Sequence, residues 1–110
     1  KWARRMQEVR LAGRSGIFED MEIEVEQELT IGRNANACQL VYPETARGIS
    51  GVHCRIQNTD VGVFLTDLGS TNGTFLADGT RLLPNKPQML PDGQGFYLGS
   101  REHGFDILIG

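Results

Sequence analysis

Met21-Glu22-Ile23-Glu24-Val25-Glu26, running on through Leu29-Thr30-Ile31 to Gly32-Arg33, decides the architecture. The first six residues alternate apolar and acidic with period two. Met21, Ile23 and Val25 fall on one face and three glutamates on the other, as a half-buried strand requires. Leu29, Thr30 and Ile31 continue the strand pattern up to a glycine and an arginine at its end.

The same period recurs on both sides. Gln39-Leu40-Val41 is a short strand, followed by a turn-rich stretch from Tyr42 to Gly48. His53–Gln57 alternates again, and Gly62–Asp67 does so less cleanly, with Phe64 and Thr66 on one face. Asp78-Gly79 predicts a hairpin between Thr74-Phe75-Leu76 and Arg81-Leu82-Leu83. Asp92-Gly93 precedes a strand over Gly95–Gly99, and Phe105–Ile109 closes the domain beside an N-terminal strand near Glu8–Leu11. Trp2 to Val9 is the only helix candidate and reads equally well as a tail. Some ten or eleven short strands predict an all-β sandwich or barrel. The distinctive polar residues fall at strand ends, where a sandwich gathers its loops and its binding function.

The bulk numbers narrow the function classes. A chain of 110 residues with 39% apolar and 23% charged content suits one globular domain. Such a domain buries roughly two thirds of its unfolded surface. A net charge of −3 argues against nucleic acid as partner, yet leaves room for one cationic pocket. Cys38 and Cys54 are expected to be reduced, with no disulfide framework around them. No apolar run approaches the ~20 residues of a membrane span, and no secretory signal is visible. The chain opens at Lys1-Trp2-Ala3-Arg4-Arg5 without an initiator Met. It is therefore expected to be a piece of a longer protein, with residues 1–7 as tail or flank and 8–110 as the domain.

Chemistry concentrates in three places: Gly32-Arg33, Ser50-Gly51-Val52-His53, and Asp67-Leu68-Gly69-Ser70-Thr71-Asn72-Gly73-Thr74-Phe75. A guanidinium offers a fork of donors that can hold two phosphate oxygens at once. Hydroxyls and a carboxamide add further donors. A hydrolase using Ser50 and His53 is the remote third reading: it needs a third group to orient the histidine and preorganised oxyanion donors, and the chain has no Gly-x-Ser-x-Gly elbow. Cys54 follows His53 directly, so the two side chains diverge on a strand and form no dyad. Neither histidine has a close-spaced metal-ligand partner, so no metal and no cofactor are expected. Gly93-Gln94-Gly95 through Gly99 is one residue off the dinucleotide fingerprint and lacks its helix. Asn72-Gly73-Thr74 matches a glycosylation acceptor but reads here as a tight turn of type I′, with Asn72 and Gly73 both at positive φ and Ser70, Thr71 and Asn72 facing outward.

In order and spacing, these three motifs resemble the forkhead-associated (FHA) domain family over about Leu29 to Gly99. The resemblance implies a β-sandwich of about eleven strands in two sheets, non-enzymatic, whose apical loops bind phosphothreonine peptides. On the matching positions, Arg33 and Ser50 would hold the phosphate, and Thr71 would add a hydroxyl or backbone contact. Asn72 would bond the peptide main chain, His53 would support the loops, and Gly32 and Gly73 would shape them. The chain departs from the family in having Gly51 where a polar or basic residue follows the loop serine, and Gly48 where a basic residue often precedes it by two. Arg47, in the long Tyr42-to-Ile49 connection, is expected to swing in as a second cation.

The implied partner is a threonine-phosphorylated protein, with no nucleic acid and no direct membrane contact by this chain. An intramolecular phosphosite elsewhere in the parent is a further candidate. The setting expected is a bacterial cytoplasm, with a parent protein that can be membrane-anchored. A phosphothreonine carries about −1.5 to −2 charges and three strong acceptors. Each hydrogen bond to such a group contributes about 1.5–3 kcal/mol, so a few of them support roughly micromolar affinity. The rival reading keeps the fold and drops the phosphate: a protein-interaction or self-association domain, favoured by Gly48 and Gly51.

Overall fold

In the computed structural model, residues 7–110 are described. They form ten strands and one 3-10 turn, Gly16–Phe18, with no α-helix. The strands are β1 (Val9–Gly13), β2 (Glu22–Glu24), β3 (Glu28–Gly32), β4 (Leu40–Val41), β5 (Cys54–Thr59), β6 (Gly62–Asp67), β7 (Thr74–Leu76), β8 (Gln88–Leu90), β9 (Gly95–Leu98) and β10 (Gly104–Ile109). Five strands make one sheet in the order β2-β1-β10-β9-β7, and five make the other in the order β4-β3-β5-β6-β8. All pairings are antiparallel except β3 with β4. The all-β sandwich expected from the alternation is therefore present, with ten strands against about eleven. The expected helix candidate and tail lie outside the described residues as far as Met6; Val9 opens β1.

Alternation places the core. Val9 and Leu11 of β1, Phe96 and Leu98 of β9, and Phe105 and Ile107 of β10 point inward from one sheet. Ile31, Ile56, Val63 and Leu65 answer from the other, all nearly solvent-free. Each such side chain contributes about 1.5–3 kcal/mol of transfer free energy when fully buried. Cys38 and Cys54 are both free thiols, as expected.

Two local expectations are corrected. Met21 is 48% exposed, because β2 is a three-residue edge strand; of its apolar trio Val25 is buried and Ile23 packs partly buried against the core. Arg81-Leu82-Leu83 makes no strand. The Asp78-Gly79 turn forms, with Leu76 N–H donating to Thr80 O, but pairing stops at a single Phe75–Arg81 bridge. Pro84 and Pro87 follow closely and cannot donate to a ladder. The chain pairs instead at β8, between Pro87 and Pro91, a strand the alternation does not reveal.

Candidate functional site

Three connections gather at one end of the sandwich: the turn after β3, the long β4–β5 loop and the β6–β7 loop. The first two are zipped together through their backbones. Arg33 N–H donates to Ser50 O at 3.1 Å, Asn34 N–H to Gly51 O at 2.9 Å, and His53 N–H to Ile31 O at 2.8 Å. Gly32 permits this closeness, since a Cβ there would lie 2.2 Å from Gly51 O. Any larger residue would push the serine loop off the end of β3.

The β6–β7 loop is organised by one carboxylate. Asp67, only 2% exposed, accepts from the N–H groups of Gly69 (3.0 Å) and Ser70 (3.1 Å) on Oδ2. Its Oδ1 accepts from the hydroxyls of Ser70 (2.6 Å) and Thr74 (2.7 Å). Ser70 Oγ in turn accepts the N–H of Gly73 at 2.9 Å. An aspartate that bonds the backbone two and three residues on is the mechanism of an Asx turn.

His53 joins this loop to the serine loop. Its ring is fully buried, with Nδ1 3.1 Å from the N–H of Ser50 and Nε2 2.9 Å from the carbonyl of Gly73. A backbone N–H can only donate and a carbonyl can only accept. The ring must therefore be neutral, with its proton on Nε2. Burial lowers its pKa from the ordinary 6.5, outweighing the bond to Gly73 and the charge of Asp67, which act the other way. Through these two contacts one ring bridges the serine loop and the third loop.

At the rim, Ser50 Oγ accepts the N–H of Thr71 at 3.0 Å, linking the second and third loops directly. The Ser50 hydroxyl proton donates to no other described residue. Arg33 is half-buried; its Nε–H donates to Ile49 O and one terminal nitrogen to Glu44 O at 3.2 Å. A guanidinium has five N–H donors, so those two bonds fix its orientation and leave three. Thr71 and Asn72 are exposed, and their side chains bond no other described residue. A Cβ on Gly48 would lie 3.8 Å from Asn72 Nδ2, so the serine loop also approaches the carboxamide.

Arg47 is exposed, and only its carbonyl is engaged, by His103 Nε2 at 3.3 Å. The described ion pairs are Arg10–Glu22 and Arg14–Asp106. Neither Arg33 nor Arg47 is neutralised by a described carboxylate. The rim thus offers unpaired positive charge beside free hydroxyl and amide donors, which is chemistry for an anion carried on a polar chain.

Two expectations about the third loop fail. Asn72-Gly73 is not a type I′ turn: Gly73 has φ +89° but Asn72 is not at positive φ. The segment links β6 of one sheet to β7 of the other, so it need not reverse onto a neighbouring strand. Ser70 does not face outward either; the Asp67 carboxylate draws it in. Asp67 and Thr74 fall within the quoted motif, but their part as the framework of the loop is not read from it, although a strand-ending Asp two residues before Gly-Ser is a recognisable Asx signal. His103 carried no sequence signal at all. Burial pushes the Cys54 thiol well up, with the Asp67 charge adding to it, so it is no thiolate nucleophile at neutral pH. Among the described residues no group of histidine, cysteine or acidic side chains could hold a metal, and no helix is long and apolar enough to cross a membrane.

Comparison with known proteins fits this geometry. The FHA domain of the CT664 protein from Chlamydia trachomatis superposes with a TM-score of 0.77 at 20% identity, over 92% of this chain and 96% of its own. The MEK1 FHA domain in complex with the HOP1 pThr318 peptide gives 0.74 at 25% identity, over 93% and 96%. The N-terminal FHA domain of S. cerevisiae Rad53p, in complex with a phosphothreonine peptide, gives 0.75 at 23%, over 94% of each. No curated protein sequence is significantly similar. The FHA domain family profile matches residues 29–99, from β3 through the end of β9 and across all three apical loops, and the chain belongs to that family.

Proposed function

We propose that residues 8–110 act as a phosphothreonine-peptide-binding module that recruits its parent protein to partners phosphorylated by Ser/Thr kinases. FHA domains are binding modules and not enzymes, and the MEK1 and Rad53p domains are seen with phosphothreonine peptides. One observation carries the reading. Thr71 N–H occupies a lone pair of Ser50 Oγ, which leaves the hydroxyl proton to donate at the rim where Arg33 holds unpaired charge. In this reading Arg33 grips phosphate oxygens through its remaining N–H groups and Ser50 donates a further bond. Thr71 adds its hydroxyl, Asn72 bonds the peptide main chain, and Arg47 swings in as the second cation. We place the module in a bacterial cytoplasm, on a free or membrane-anchored parent.

Calorimetric titration with matched phosphothreonine and unphosphorylated peptide libraries tests this. Phosphate-dependent binding of roughly micromolar strength is expected, with Arg33→Ala or Ser50→Ala removing most of it and Arg47→Ala costing less. Equal binding of both libraries would establish the rival reading, a phosphate-independent interaction domain, which Gly51 favours by presenting no side chain at the rim. If Arg47→Ala changes nothing, its role as second cation is refuted.

A further inference from the structure

We infer that the groove beside Gly73, walled by Arg81 and Lys86, takes an acidic segment flanking the phosphothreonine. The inference rests on the function proposed above and adds the chemical class of sequence that the site selects. A Cβ on Gly73 would lie 2.6 Å from Arg81 Nε, so this guanidinium sits directly against the backbone of the peptide-facing loop. Arg81 is not a loose surface side chain. Its Cζ lies 5.6 Å from the Phe75 ring centre; Phe75 stacks on Tyr97 at 5.1 Å and 10°; Arg101 closes the column 4.7 Å from Tyr97. A cation stacked on an aromatic face loses less freedom when it binds.

The segment that follows is tied to the base of the same loop at two points. Leu82 N–H donates to Thr74 O at 2.9 Å, and Asn85 N–H to Asp67 O at 2.7 Å. Between those ties opens a groove lined by Arg81, Lys86, Leu83, Pro87, Thr80 and Gln88. Leu83 is 63% exposed. Neither cation is paired with a described carboxylate. The groove therefore shares Arg81 with the third loop, is partly apolar, and is doubly positive on a chain of net charge −3. A peptide held by phosphate and by Asn72 that runs on past the Arg81 side chain covering Gly73 would bring aspartate or glutamate side chains to both cations.

Three fluorescent phosphothreonine peptides decide the matter: one with neutral flanks, one with acidic residues before the phosphothreonine, one with acidic residues after it. Two partly exposed ion pairs predict that one acidic peptide binds about 3–10-fold more tightly than the neutral one at low salt. Lys86→Ala and Arg81→Ala should each lower that ratio, and Lys86→Glu should bring it below one. Arg81→Ala also removes the stacking on Phe75. The exposed Lys86 variants, checked by circular dichroism, therefore report on the groove with the aromatic column intact. A wild-type domain that binds all three phosphopeptides equally, or a ratio untouched by both Lys86 variants, overturns the assignment of the groove alone. A domain that binds none of them overturns the functional reading and this inference together.

Discussion

Replacing Asp67 tests whether one buried carboxylate holds the third loop. Its four hydrogen bonds differ in kind. Oδ2 serves two backbone N–H groups that have no other acceptor in the loop, and Oδ1 serves two hydroxyls that can rotate. Asp67→Ala strips the acceptor from the buried Thr74 hydroxyl, at about 1–3 kcal/mol, and from the part-buried N–H groups of Gly69 and Ser70, at less for each because water reaches them. The total of about 2–6 kcal/mol is a large part of the ~5–15 kcal/mol that holds such a domain together. Asp67→Asn behaves differently. Its carbonyl oxygen can serve the two N–H groups while its amide faces Ser70 Oγ and Thr74 Oγ1, which turn to accept. The charge is lost but no N–H is stranded, so the cost falls to about 1–2 kcal/mol. Urea denaturation of the three proteins at one pH separates these values. The Ala variant should also melt on the order of 10–20 °C lower. If Asn proves as damaging as Ala, or Ala costs under about 1 kcal/mol, the loop does not depend on this acceptor and the reasoning is wrong.

Two further outcomes follow from the wiring. His53 is held neutral in the fold with its pKa below 6.5, so the unfolded chain binds the extra proton first. Its contribution is complete above about pH 6.5 and is lost as pH falls through the lowered folded value; a urea midpoint that drops below pH 6.5 in the wild type, with that component missing from His53→Gln, is the expected pair of curves. Gly51 and Gly48 should respond in opposite ways to lysine. A Cβ on Gly51 meets only Asn34 Cβ at 3.9 Å, so Gly51→Lys adds a cation at the rim and should tighten phosphothreonine-peptide binding about threefold or more. Gly48 has φ +82°, where an L side chain costs about 1–2 kcal/mol, so Gly48→Lys should lower the melting temperature first; equal stability of the two variants contradicts this.

Strand positions were legible because burial on one face imposes period two, and β3, β5, β6, β7, β9 and β10 lie where the alternation put them. What defeated the pattern was backbone chemistry outside the alternation. Prolines 84 and 87 stop Arg81-Leu82-Leu83 from pairing, and β8 forms in a stretch whose exposed Gln88 and Met89 show no apolar face. The loops were legible as an ordered set of motifs, which was enough for the family. Their internal hydrogen bonds were not. Alternation describes a sheet face, and no comparable rule says where a loop hydroxyl turns.

Ser70 and Thr71 show why. They are neighbours with the same donor group, yet Ser70 is spent on Asp67 and the N–H of Gly73, while Thr71 gives its N–H to Ser50 and keeps its hydroxyl free. Period-two reasoning treats them alike. What separates them is the demand of buried donors: the loop first satisfies every N–H it takes out of water, because each one left unmet costs about 1–3 kcal/mol. Only the groups left over can bind anything. Applied to the rim, that subtraction removes Asp67, Ser70, Thr74 and His53. It leaves the Ser50 hydroxyl proton, three N–H groups of Arg33, the Thr71 hydroxyl and the Asn72 amide. Positive charge and donors predominate in that remainder, so a ligand that fills it must bring acceptors and negative charge.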